Sequence, residues 1–140
     1  RKSYKIAAPV NYGGGVLDPV PGSIVTYTNY FDNDANSSVS NLTYVDKIPS
    51  GTAFVVGSIV TNPMTSAVSS NSYSSDGGAT WTAAPAGTYD TTITHVRVRF
   101  IGARLQATRG DSVVVGQVNA DPATGPYVDA GSYRFRVVIR

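Results

Sequence analysis

The stretch Thr92-Ile93-Thr94-His95-Val96-Arg97-Val98-Arg99-Phe100-Ile101 sets Val96, Val98 and Phe100 at every second position, with His95, Arg97 and Arg99 between them. Successive side chains of an extended chain point to opposite faces, so a period of two lines one face with hydrocarbon and leaves the other to water. A helix turning every 3.6 residues would scatter the same residues around its axis. The segment is a half-buried β-strand. The end of the chain repeats the pattern, with Phe135, Val137 and Ile139 set against Arg134, Arg136 and Arg140.

Further strands read outward from these two. Ser23–Phe31 carries Val25, Tyr27 and Phe31 in the same period, and Val39–Ile48 and Thr52–Val60 flank the stop Pro49-Ser50-Gly51. Ser112–Val118 is another apolar run, and Asp76-Gly77-Gly78 between Ser72–Ser75 and Thr80–Thr82 has the chemistry of a tight hairpin. Residues 61–72 are Ser, Thr, Asn and Pro with little period and read as a long surface connection. Turn signals recurring about every ten residues are the mark of a β-sandwich.

Composition agrees. Val, Ile, Thr and Tyr supply 49 of 140 residues, whereas Leu occurs three times, Gln twice, Met once and Glu never. The abundant residues fit a pleated sheet and the scarce ones favour helices, which excludes a helical bundle and argues against an α/β enzyme core. The length suits one domain. A net charge of +2 gives little general attraction to polyanions, and no nucleic-acid partner is expected. The absence of cysteine removes disulfides, thiolate metal sites and a cysteine nucleophile. No apolar run approaches the roughly 20 residues of a membrane span. A low charge content of 14% and abundant hydroxyls point to an extracellular or cell-surface location, and the opening Arg-Lys-Ser suits a processed chain.

Pro21-Gly22-Ser23-Ile24-Val25-Thr26-Tyr27-Thr28, followed by residues 36–58 (NSSVSNLTYVDKIPSGTAFVVGS), resembles the conserved-repeat domain of bacterial and archaeal envelope proteins. The shared pattern falls on Val25, Tyr27, Asn41, Asp46, Ile48, Pro49, Gly51, Phe54, Gly57 and Ser58, and the chain departs from it at Asn29 and at Tyr30-Phe31-Asp32. The Asp76-Gly77-Gly78 hairpin and the turn Arg109-Gly110-Asp111-Ser112 are similar to its second half. The resemblance implies an immunoglobulin-like sandwich without catalytic residues. The expected fold is therefore all-β, an antiparallel immunoglobulin-like β-sandwich of seven to nine strands over residues 17–140, preceded by a strand-like arm in residues 1–16. Within the Asp46–Gly51 motif, Asp46 is expected to cap the turn, Ile48 to plug the sandwich end and Gly51 to adopt a positive φ.

Other motifs have mainly structural readings. Ser74, Asp76, Gly78, Thr80 and Trp81 match the Asp-box hairpin of sialidase propellers, but one copy cannot build a propeller. Asp32, Asp34 and Asn36 offer oxygens of the type Ca²⁺ takes, without the glycine and closing glutamate of an EF-hand. If the strands carrying Arg97, Arg99, Arg134, Arg136 and Arg140 share a sheet, five guanidiniums line one face, for a polyanion, a neighbouring subunit or solvent. His95 is the one histidine, and no serine lies in a nucleophile elbow, so no enzyme activity and no cofactor are expected. Asn36 and Asn41 head N-glycosylation sequons.

The arm points to function. Tyr4, Ile6, Ala8 and Val10 alternate through residues 2–10, and Gly13, Gly14 and Gly15 form a hinge behind them. Such a segment is either the first strand of its own sheet or a donor that completes a neighbour's sheet. Donation predicts a non-enzymatic subunit of an extracellular filament or pilus whose partner is itself, as a head-to-tail homopolymer. The alternative is a monomeric adhesion or glycan-binding module that meets cell-surface glycans through Tyr12, Tyr30, Tyr89 and Tyr127.

Overall fold

The structure, a computed structural model, describes residues 2–7, 20–32, 39–62, 68–101, 104–105 and 130–140. All regular structure among them is β. The strands are β1 (Lys2–Ala7), β2 (Ile24–Asp32), β3 (Val39–Ser40), β4 (Thr43–Lys47), β5 (Thr52–Val55), β6 (Val60–Asn62), β7 (Val68–Ser74), β8 (Tyr89–Asp90), β9 (His95–Ile101), β10 (Arg104–Leu105) and β11 (Ala130–Ile139). Every pairing is antiparallel. The larger sheet runs β1-β2-β11-β5-β8, with β6 beside β11, and the smaller runs β4-β9-β7. A short ladder, β3–β10, forms past Asn41, whose φ of 55° interrupts the strand expected over Val39–Ile48.

The period-two segments bury the residues that alternation picks out. On β9, Val96, Val98 and Phe100 are buried while Arg99 is exposed, and on β11 the buried set is Tyr133, Phe135 and Val137. These meet Val25, Phe54, Tyr73 and Ile93 in one core between the sheets. Aromatic rings tie the layers: Phe31 of β2 lies 4.8 Å from Tyr44 of β4 and 5.3 Å from Phe100 of β9. Tyr44 lies 5.4 Å from Tyr133. Each fully buried ring of this kind contributes about 1.5–3 kcal/mol of transfer free energy.

Several expectations are corrected. The long connection drawn over residues 61–72 contains the end of β6 and most of β7, because backbone pairing to β11 and β9 requires no apolar side chain on the outer face. Thr52–Val60 is two strands, β5 and β6, both alongside β11. The five arginines do not share a face, since β9 belongs to the smaller sheet and β11 to the larger. By contrast, the strand expected in the arm is present over Lys2–Ala7, and in the single chain it pairs with β2, from Lys2↔Asn29 to Ala7↔Ile24. Ser112–Val118, Ala8, Val10, Gly13–Gly15, Tyr12, Tyr127, Asp34, Asn36 and Arg109–Ser112 lie outside the described residues.

Candidate interaction surfaces

Three of the motif residues have structural work in or beside the two sheets. Ile48 is buried, and its N–H donates to the Thr94 carbonyl at 2.8 Å, so it closes the end of the core. Gly51 turns the chain at φ +76°, a conformation that costs a side-chain-bearing residue about 1–2 kcal/mol. Asp46, expected at the turn, joins the two sheets. It points inward from β4, and its Oδ2 accepts from Asn29 Nδ2 at 2.7 Å and from the Tyr133 hydroxyl at 2.6 Å. β4 belongs to one sheet and both donors to the other, so one carboxylate clasps the two layers. Asn29 thereby has a role in joining the sheets. Burial, reinforced by the hydrogen bond and charge of Asp46, pushes the Tyr133 phenol well above the ordinary tyrosine range.

Ser58 has a role that strand reading missed. The run between β5 and β6 leaves β11, and the Ser58 side chain fills the break. The Arg136 N–H donates to Ser58 Oγ at 3.0 Å, and the Ser58 hydroxyl donates to the Arg136 carbonyl at 3.4 Å. Gly57, at φ +73°, supplies the preceding kink. The Gly57-Ser58 doublet between two apolar runs is the sequence signal of this bulge.

The Asp-box residues form a hairpin, which the Gly77 N–H ties to Thr94 Oγ1 at 3.0 Å. Ser74 Oγ receives the Gly78 N–H at 2.8 Å and donates to Asp76 Oδ1 at 2.7 Å. The Thr80 N–H reaches both Asp76 oxygens, at 2.9 and 3.0 Å. Paired backbone bonds between Tyr73 and Thr82 close the loop. The hydrogen bonds from Ser74, then Thr80, hold the Asp76 carboxyl far below the ordinary carboxylate range.

Of the sequence-predicted interaction residues, Tyr4 and Ile6 stand in register with Tyr27 and Val25, positions of β2 that pack on the core. Asn41 is exposed at the β3–β4 interruption. Asp32 ends β2 opposite Ala130. Tyr89 is 51% exposed on β8, and Tyr30 is half-buried. His95 shares a hydrogen bond with Thr94 Oγ1 at 3.1 Å. Among the described residues no three metal-ligating side chains converge, and no helix is long and apolar enough to cross a membrane. Compared with models of known families, with characterised proteins and with solved structures, the chain shows no match.

Proposed function

We propose that this chain is a non-enzymatic structural subunit of an extracellular filament or related cell-surface assembly, with an immunoglobulin-like sandwich that polymerises by donating β1 to the β2 edge of the next copy. The observation that carries the reading is the place of β1: among the described residues it ends the larger sheet and pairs with β2 alone, along its whole length. The same ladder forms whichever copy provides β1, so exchange between subunits sacrifices no contact. Residues 8–23, with the glycines Gly13–Gly15, join the two strands, and an extended segment of that length spans about 50 Å. Reciprocal exchange closes a dimer, whereas head-to-tail exchange leaves an edge at each end and grows a fibre. The resemblance of residues 21–58 to envelope-protein repeats and the hydroxyl-rich, weakly charged composition support an extracellular setting.

The lack of cysteine makes a direct test available. Ser3 and Thr28 are register partners across β1 and β2, so an oxidised Ser3→Cys/Thr28→Cys double variant reports which copy provides the strand. Head-to-tail donation gives a ladder of covalent oligomers, and electron micrographs show filaments that vanish when residues 1–12 are removed. Crosslinked monomers alone, with dispersed particles from both the full and truncated chains, would overturn donation and favour the monomeric glycan-binding module.

A further inference from the structure

The outer face of the β4-β9-β7 sheet is built in three cross-strand rows. Register aligns Lys47, His95 and Ser74 in one, Val45, Arg97 and Ser72 in the next, and Thr43, Arg99 and Ser70 in the third. Lys47, Arg99, Thr43 and Ser70 are exposed, and Val45 is 52% exposed. No row contains a carboxylate, and Asp76, which accepts from Ser74 beside the first row, is also held by Thr80. Arg97 and Arg99 lie along one strand about 6–7 Å apart, with Lys47 in the neighbouring row, so the face carries a stripe of cations rather than a point charge.

Arg97 is the ordered member of that stripe. Its Nε donates to Ser72 Oγ at 2.9 Å, and its guanidinium lies 4.4 Å from the centre of the Trp81 ring. Those contacts use the Nε edge and one face of the plane. Neither contact engages the two terminal amino groups, and a guanidinium can meet a carboxylate with two parallel bonds. A guanidinium already held in place loses less side-chain entropy on binding than a mobile one. The hydroxyls of Thr43 and Ser70 flank Arg99 and offer hydrogen bonds of the kind sugar hydroxyls make. A nucleic acid would instead need several open aromatic faces for its bases, and Trp81 already stacks on Arg97. On the opposite face Arg134 and Arg136 carry the same charge without a stacked ring among the described residues.

We propose that this face binds an acidic polysaccharide, with Arg97 and Arg99 receiving its carboxylate groups. The face lies on the sheet that does not contain β1, so the proposal stands or falls independently of strand donation. The probe is polygalacturonate, with neutral dextran and single-stranded DNA as controls, in binding measurements on the full chain at low salt. Polygalacturonate is expected to bind and dextran not. Arg97→Gln/Arg99→Gln is expected to weaken binding about tenfold or more, whereas Arg134→Gln/Arg136→Gln, with the same loss of charge, changes it less than about twofold. Arg99→Gln alone, at an exposed position, is expected to weaken binding several-fold with an unchanged melting temperature. Equal losses from the two double variants, no binding to polygalacturonate, or equally tight binding of the DNA would overturn the proposal.

Discussion

Ser58 shows how much a single hydroxyl holds. Its oxygen takes the Arg136 N–H that no strand residue reaches across the β5–β6 break. Ser58→Ala leaves that donor unpaired, and we expect a loss of about 1–3 kcal/mol in urea denaturation, read as a lower midpoint at unchanged slope. Asn71 is the converse case. It faces inward on β7 opposite Val98, and its Oδ1 is buried without a hydrogen-bond partner among the described residues. A buried acceptor of this kind costs free energy that an apolar residue of similar size avoids. Asn71→Val is therefore expected to stabilise the fold by about 1 kcal/mol, which the same denaturation series measures.

Among the elements, the hairpin from Tyr73 to Thr82 reports on itself, because Trp81 is the one tryptophan of the chain. Its shape depends on ionised Asp76, whose carboxyl the Ser74 and Thr80 hydrogen bonds lower. A lowered acid stabilises above its ordinary range, near about 3.9, and that contribution fades as pH falls below it toward the depressed value. Tryptophan emission should hold steady down to about pH 4 and shift at more acid pH. Asp76→Asn should show the shifted emission already at neutral pH. Emission that is identical in the variant and the parent would mean that the carboxylate does not hold the loop.

The two sheets are joined by tyrosines whose ionisation the sandwich resists. Burial pushes the Tyr44 phenol up to about 12, and burial with Asp46 raises Tyr133 further. For a group whose folded value is raised, the stabilisation is complete below the unfolded value of about 10 and is lost as pH climbs from there toward the folded one. The molecule should accordingly lose stability above about pH 10, with a class of tyrosines that ionises only as the fold opens. Near-ultraviolet absorbance of tyrosinate, followed beside circular dichroism, checks this. Tyr133→Phe should keep the fold at neutral pH and remove part of the alkaline loss.

The reading of faces was local and the reading of partners was not. Which side of residues 95–101 and 133–139 is buried follows from alternation within each strand, and the Pro49–Gly51 turn follows from its own residues. The same is true of the hairpin at Asp76, where the hydrogen bonds among Ser74, Asp76, Gly78 and Thr80 span at most four residues. Sheet membership depends on long-range pairing, so nothing near Arg97 or Arg134 reveals that β9 and β11 belong to different layers. Residues 68–72 offered no period because their outward serines leave only the backbone ladder to mark a strand. The acceptor role of Asp46 depends on donors 17 and 87 residues away. The amino-acid sequence by itself determined an all-β chain, its buried faces and its tight turns, because each arises from neighbours along the chain. Only the tertiary structure decided the split of the arginines, the clasp at Asp46, the Ser58 bridge and the place of β1 at the sheet edge, because each joins groups that meet only when the layers close.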